Sequence, residues 1–131
     1  MQFDKILGLV QDRANLPSGE EAFRATRATL STLNERLAGG ETGDLAAQLP
    51  MELQQYLDDK GKGEKFGLDE FFERVSRVEG IDVPQSIHHV RAVISVLKEA
   101  VSAGEMDDIM GQLPEEYKPL FESGHEGSLN V

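Results

Sequence analysis

The chain repeats itself, and that constrains what it can fold into more than any other feature it carries. Gly40-Glu41 returns as Gly104-Glu105, and Gln48-Leu49-Pro50 returns as Gln112-Leu113-Pro114, each 64 residues later. At the same offset Arg27, Ala28, Ser31, Leu33, Glu35, Asp44 and Glu52 meet their own kind. The stretch from Arg27 to Asp58 holds 12 identities in 32 positions, far above what composition gives by chance. Upstream the offset becomes 65: Asp4 meets Asp69, Ile6 meets Phe71, Leu7 meets Phe72 and Val10 meets Val75. One residue lost near Pro17 accounts for the change.

Each copy reads as helices. Phe3, Ile6, Leu7 and Val10 fall on one helical face, and Leu68, Phe71, Phe72 and Val75 repeat the spacing. Ser18 with Glu21, and Asp82 with Gln85, are candidate caps for a longer second helix. Its apolar stripe runs through Phe23, Leu30, Leu33 and Leu37, and in the copy through Ile87, Val90, Ile94, Leu97 and Val101. The copy carries Val93 and Val96 where the first has Thr29 and Thr32, so its wider apolar arc predicts deeper burial. Gly39-Gly40 and Gly104 are expected to end these helices. A short third helix is expected over about 42–48 and 107–112. Pro50 and Pro114 are expected to open a fourth from its first helical position, where a missing amide costs nothing. No segment alternates like a strand. The expectation is an all-α fold of about eight helices, built as two tandem four-helix repeats with pseudo-two-fold symmetry.

The layout that follows is one helical domain over 1–123, with repeat one at 2–59 and repeat two at 67–123. The Gly- and charge-rich run Asp58-Asp59-Lys60-Gly61-Lys62-Gly63-Glu64-Lys65 supplies a linker, placed at 60–66. Residues 124–131 read as a flexible tail.

Composition excludes several functions. The 131 residues include no Cys, hence no disulfide, thiolate nucleophile or Cys-ligated iron–sulfur or zinc centre. No apolar run approaches a membrane span, and the start lacks a signal peptide's pattern, so the expected location is the cytoplasm. The formal net charge is −11. Such a surface repels nucleic acid phosphates and suits a basic partner.

Each half joins an Arg-Ala-centred long helix to Gly-Glu, two residues, Asp, Leu or Ile, then Gln-Leu-Pro followed by an acidic residue or Met. This pattern resembles the bacterial family of uncharacterised proteins called DUF2267, over about Phe3 to Phe121. The resemblance implies a small, all-helical, bacterial cytoplasmic protein without a settled activity, and it transfers no functional residues. Thr42 and Met51 stand where the second copy has Met106 and Glu115.

The repeated signature offers candidate contacts: Glu41, Asp44 and Gln48 on one surface, and Glu105, Asp108 and Gln112 on a second. The plainer account is structural, with glycine ending a helix and acidic groups favouring the next N-terminus. Arg27 and Arg91, at equivalent places on the long helices, could meet an anion between the halves or pair with carboxylates. His88 and His89 lie about 100° apart on a helix, so they diverge rather than chelate; both are expected partly exposed. An EF-hand frame from Asp58 fails because Lys60 and Lys62 fall where oxygen ligands are needed. No nucleophile elbow or phosphate loop is present. No catalytic residue, metal site or cofactor is expected.

The reading favours a non-enzymatic acidic module or regulator that presents a groove or face between its repeats to a protein partner, without nucleic acid or membrane. The alternative is a small-anion-binding protein or enzyme with a pocket between the repeats. A DNA mimic ranks last, since basic residues interleave the acidic ones. Homo-oligomerisation is open.

Overall fold

Two caps start the long helices as the sequence predicts. The Glu21 amide donates to Ser18 Oγ at 3.2 Å, opening α2 (Gly19–Arg36). The Gln85 amide donates to Asp82 Oδ1 at 2.9 Å, opening α6 (Val83–Ala100). The computed structural model describes residues 1–122; the expected tail lies outside them. Among the described residues there are eight helices and no strand. α1 (Phe3–Arg13), α3 (Glu41–Ala47) and α4 (Met51–Gln54) complete the first half. The second adds α5 (Leu68–Glu79), α7 (Ala103–Gln112) and, after a 3-10 turn over Glu115–Tyr117, α8 (Lys118–Glu122).

The four long helices make one core. α1 packs on α2 and α5 on α6, but α2 also packs on α5 and α6, and α1 on α6. Neither half therefore buries its apolar stripe alone. Leu30, Leu33, Ile94 and Leu97 are almost wholly buried, each stabilising the fold by about 1.5–3 kcal/mol. Phe71 meets Tyr117 edge to face at 5.9 Å, and the Tyr117 hydroxyl donates to the Phe66 carbonyl at 2.9 Å. Arg36, also buried, donates through Nε to the same carbonyl at 2.9 Å.

Ion pairs cross between the halves. Glu35 on α2 receives Arg74 of α5 at 2.9 Å, and Glu99 on α6 receives Arg13 of α1 at 2.5 Å. Arg74 also binds Glu70 and Glu64 and lies 3.8 Å from the Phe66 ring centre. Its hydrogen bond to Glu70, with Glu35 and Glu64 adding to it, holds the guanidinium above its ordinary pKa.

Four expectations are corrected. α6 is not the deeper of the two long helices: ten residues of α2 are buried and nine of α6. Thr26, Thr29 and Thr32 bury because each hydroxyl donates to the carbonyl four residues back, at 2.8, 3.0 and 2.9 Å. Glycine does not end α2 or α6. Both stop at an extended cap residue, Leu37 and Val101, whose side chain turns into the core. Gly104 instead sits inside α7, which starts at Ala103 behind the cap Ser102, earlier than expected. Pro50 and Pro114 occupy cap positions rather than the first helical position.

The run that reads as a linker is tied down along the end of α2. The amides of Lys62, Gly63 and Glu64 donate to the carbonyls of Asn34, Leu37 and Glu35 at 2.9, 2.8 and 2.8 Å. They satisfy acceptors that a helix C-terminus leaves free. Asn34 and Asp58 exchange two further bonds, and Thr42 donates to the Asp58 carbonyl. Gly61, at φ 69°, lies so close that an added Cβ would stand 2.3 Å from the Leu37 oxygen.

Candidate functional site

α3 and α7, the short helices of the two halves, pack against each other. Each brings a Gly-Glu start and an Asp three residues on, so their acidic ends converge. Carboxylate oxygens of Glu41, Glu105 and Asp108 all lie within 4.8 Å of one another. Glu105 is buried, with 6% of its surface exposed. Burial pushes its carboxyl up to about 8, and the hydrogen-bonding contact with Glu41 and the charges of Glu41, Asp44 and Asp108 push the same way. Glu41 Oε2 and Glu105 Oε2 are both buried, and among the described residues neither has a hydrogen-bond donor outside the carboxylate cluster.

Gln48 and Gln112 frame this junction. Gln48 Oε1 accepts from the Ser102 amide at 2.7 Å, and its Nε2 donates to Ser102 Oγ at 3.2 Å. That same hydroxyl caps α7 by accepting from the Glu105 amide at 3.2 Å. Gln112 Oε1 accepts from the Ala38 amide at 2.8 Å, and its Nε2 donates to the Ala38 carbonyl at 3.0 Å. Ala38 and Ser102 stand 64 residues apart, the same offset as Gln48 and Gln112. Six of the candidate residues thus come together, in one junction rather than on two separate surfaces. The reason is topological: the two signatures face each other across α3 and α7.

The remaining two candidates lie elsewhere. Arg27 is exposed on α2, its guanidinium 6.0 Å from the Phe23 ring centre. Arg91 is half-buried on α6. Neither borders the open cleft of about 520 Å³ between the α1–α2 and α5–α6 turns. Ala14, Asn15, Leu16, Pro17 and Glu21 form one side of that cleft, and Ile81, Pro84, Gln85, His88 and His89 the other. Leu16 and Ile81 stand 65 residues apart and Glu21 and Gln85 stand 64 apart, the offsets of the identities along the sequence. The turns match too: Asn15 and Gly80, also 65 apart, take left-handed φ of 55° and 73°.

His89 overturns the expectation of a partly exposed histidine; only His88 is half-buried. His89 is buried, with Nδ1 at 2.9 and 3.2 Å from the two oxygens of the equally buried Glu79. With Glu79 ionised, Nδ1 carries the proton and donates it. The partner comes from the preceding helix, so a search at helical spacing misses it. The sequence does carry a signal: at the offsets of 65 and 64 the matching positions in the first half are Ala14 and Ala25, both buried. A carboxylate and an imidazole replace two small apolar residues.

Among the described residues no helix is long and apolar enough to cross a membrane. No curated protein matches the sequence. Residues 3–120 match the family described as an uncharacterized conserved protein, DUF2267. That match spans both halves, the carboxylate junction and the cleft, and the chain belongs to the DUF2267 family.

Proposed function

We propose that the protein is a non-enzymatic interaction module, a duplicated helical unit that receives a protein partner in the cleft between its halves. The observation that carries this reading is the cleft itself. It is open, drawn from both halves, and mixes apolar residues (Leu16, Pro17, Ile81, Pro84) with Glu21, Gln85 and His88. A recognition groove needs such a combination, with apolar contact for affinity and a few polar groups for orientation. The net charge of −11 favours a basic partner segment and would speed its approach. The pseudo-two-fold arrangement of the repeats is part of this reading. It is supported by the matched Gln48–Ser102 and Gln112–Ala38 contacts and by the matched turns at Asn15 and Gly80.

The experiment is capture from a bacterial lysate at physiological salt, with the wild type beside a Leu16→Asp/Ile81→Asp variant. Both positions are half-buried at the cleft, and circular dichroism checks that the variant stays folded. The reading expects a stoichiometric protein on the wild type that the variant loses. Retention of basic proteins alone, equally on both and removed by salt, contradicts it.

One observation favours a second reading, a small-ligand-binding protein or enzyme. His89 borders the cleft with Nδ1 held by a buried carboxylate, the arrangement that orients a histidine base. Under this reading a His89→Gln variant loses ligand-induced shifts in an NMR screen of small ligands. An empty screen with the wild type counts against it.

A further inference from the structure

We propose that Glu41, Glu105 and Asp108 hold a single hard divalent cation at the junction of α3 and α7. The inference goes beyond the interaction reading and rests on different residues, so either can fail alone.

Acidic side chains crowd many protein surfaces, and proximity alone says little. The buried oxygens distinguish this cluster. Glu105 is more than nine-tenths buried, one of its oxygens lies within 4.8 Å of those of Glu41 and Asp108, and its Oε2 is buried with no hydrogen-bond donor outside the carboxylates. Glu41 is half-buried, but its Oε2 is likewise a buried oxygen without such a donor. A buried carboxylate oxygen without a donor is costly, and folded proteins compensate it with a proton or a positive ion. One proton shared by Glu41 and Glu105 would compensate one charge. Asp108 lies within the same 4.8 Å, and Asp44 also acts electrostatically on Glu105. A shared proton leaves this remaining negative charge in place, whereas a divalent ion answers two charges at once.

The geometry fits an ion. Calcium takes oxygen ligands at about 2.3–2.6 Å, so oxygens around one ion lie no more than about 5 Å apart. The three side chains meet that limit before any ion enters. Carboxylates alone select hard cations over the softer metals that prefer imidazole or thiolate. Asp108 is exposed and Glu41 half-buried, which leaves one side of the cluster open for water to complete the shell. The Gln48–Ser102 bonds hold the start of α7, and with it Glu105, in place. Three ligands from segments 64 residues apart also explain why no local motif announces the site. Such an ion would tie the two halves together.

The test is calorimetric titration of calcium, and separately magnesium, into the chelator-treated full chain at neutral pH, with thermal unfolding in parallel. The proposal expects one ion per chain and a rise in Tm on its addition. Glu105→Gln and the exposed Asp108→Asn each weaken binding by about tenfold or more, while Glu20→Gln, on α2, leaves it unchanged. Several weakly bound ions, or an affinity that both cluster variants leave intact, would overturn it. So would the absence of binding by either ion; stabilisation on acidification that Glu105→Gln removes would then assign the pair a shared proton instead.

Discussion

Gln112 grips the backbone amide and carbonyl of Ala38 with both atoms of its amide, and Gln48 from the other half grips the backbone amide and side-chain hydroxyl of Ser102. Each glutamine satisfies a backbone amide just beyond the end of a long helix, where no helical partner remains. Gln112→Ala and Gln48→Ala are each expected to cost about 1 kcal/mol, the net worth of a typical hydrogen bond. Urea unfolding of the two variants checks this. Two neutral variants would mean that the amide contacts do not hold the junction.

Much of this arrangement is legible in the sequence. Ile6 and Val10 and their counterparts Phe71 and Val75 are buried, and Phe3 and Leu68 pack against them, as their spacing predicts; Leu7 is only half-buried where Phe72 is buried, and the caps Ser18 and Asp82 work as their residue types suggest. The ends of α2 and α6 are not legible, because the burial of Leu37 and Val101 rather than a glycine decides them. The burial of Thr29 and Thr32 is hidden as well, since a threonine in a helix can satisfy its own hydroxyl and then pack like valine. The repeated Glu and Asp are visible as a signature, yet nothing in one chain direction says that α3 meets α7. That meeting is a tertiary fact, and it turns two expected surfaces into one cluster.

Glu105 links stability to pH. Burial and the neighbouring carboxylates push its folded carboxyl up to about 8, well above the ordinary carboxylate range. The folded state therefore binds the proton more tightly than the unfolded chain. Stability from this group is fully present below the unfolded pKa and falls as pH rises towards the folded one. In chelated buffer the wild type should lose stability between these limits, and Glu105→Gln should flatten that slope and be the more stable protein at the alkaline end. Unfolding curves across this range decide it; an unchanged slope in the variant removes Glu105 as the cause.

His89 and Glu79 form a buried pair, and removing one member leaves the other without its partner. His89→Ala should destabilise by about 3 kcal/mol or more. The Glu79→Ala/His89→Ala double variant should cost clearly less than the two single changes added together, because it removes the stranded charge. The matching positions in the first half are already alanine and are buried, so the site has a tolerated apolar counterpart. Additive costs in a double-mutant cycle would contradict the coupling.

Gly61 and Gly39 share left-handed φ values of 69° and 67° but not their surroundings. An added Cβ at Gly39 meets nothing within 4 Å, whereas at Gly61 it would strike the Leu37 carbonyl. Gly39→Ala should cost about 1 kcal/mol for the backbone alone. Gly61→Ala should cost more and loosen the segment from α2. Hydrogen exchange at the Lys62, Gly63 and Glu64 amides reads the loosening. Equal effects at the two glycines would mean that the segment is not held against the helix.

The central claim is that the two halves form one body, since the shared core, the cleft and the carboxylate junction each draw on both. The most direct measurement is to produce residues 1–59 and 60–131 as separate chains and follow each, alone and mixed, by circular dichroism and thermal unfolding. α1 needs α6, and α2 needs α5, to bury their apolar faces. The account therefore predicts that neither piece alone unfolds cooperatively, and that mixing restores helicity and a cooperative transition. A cooperative transition in either isolated half, unchanged by adding the other, would contradict it.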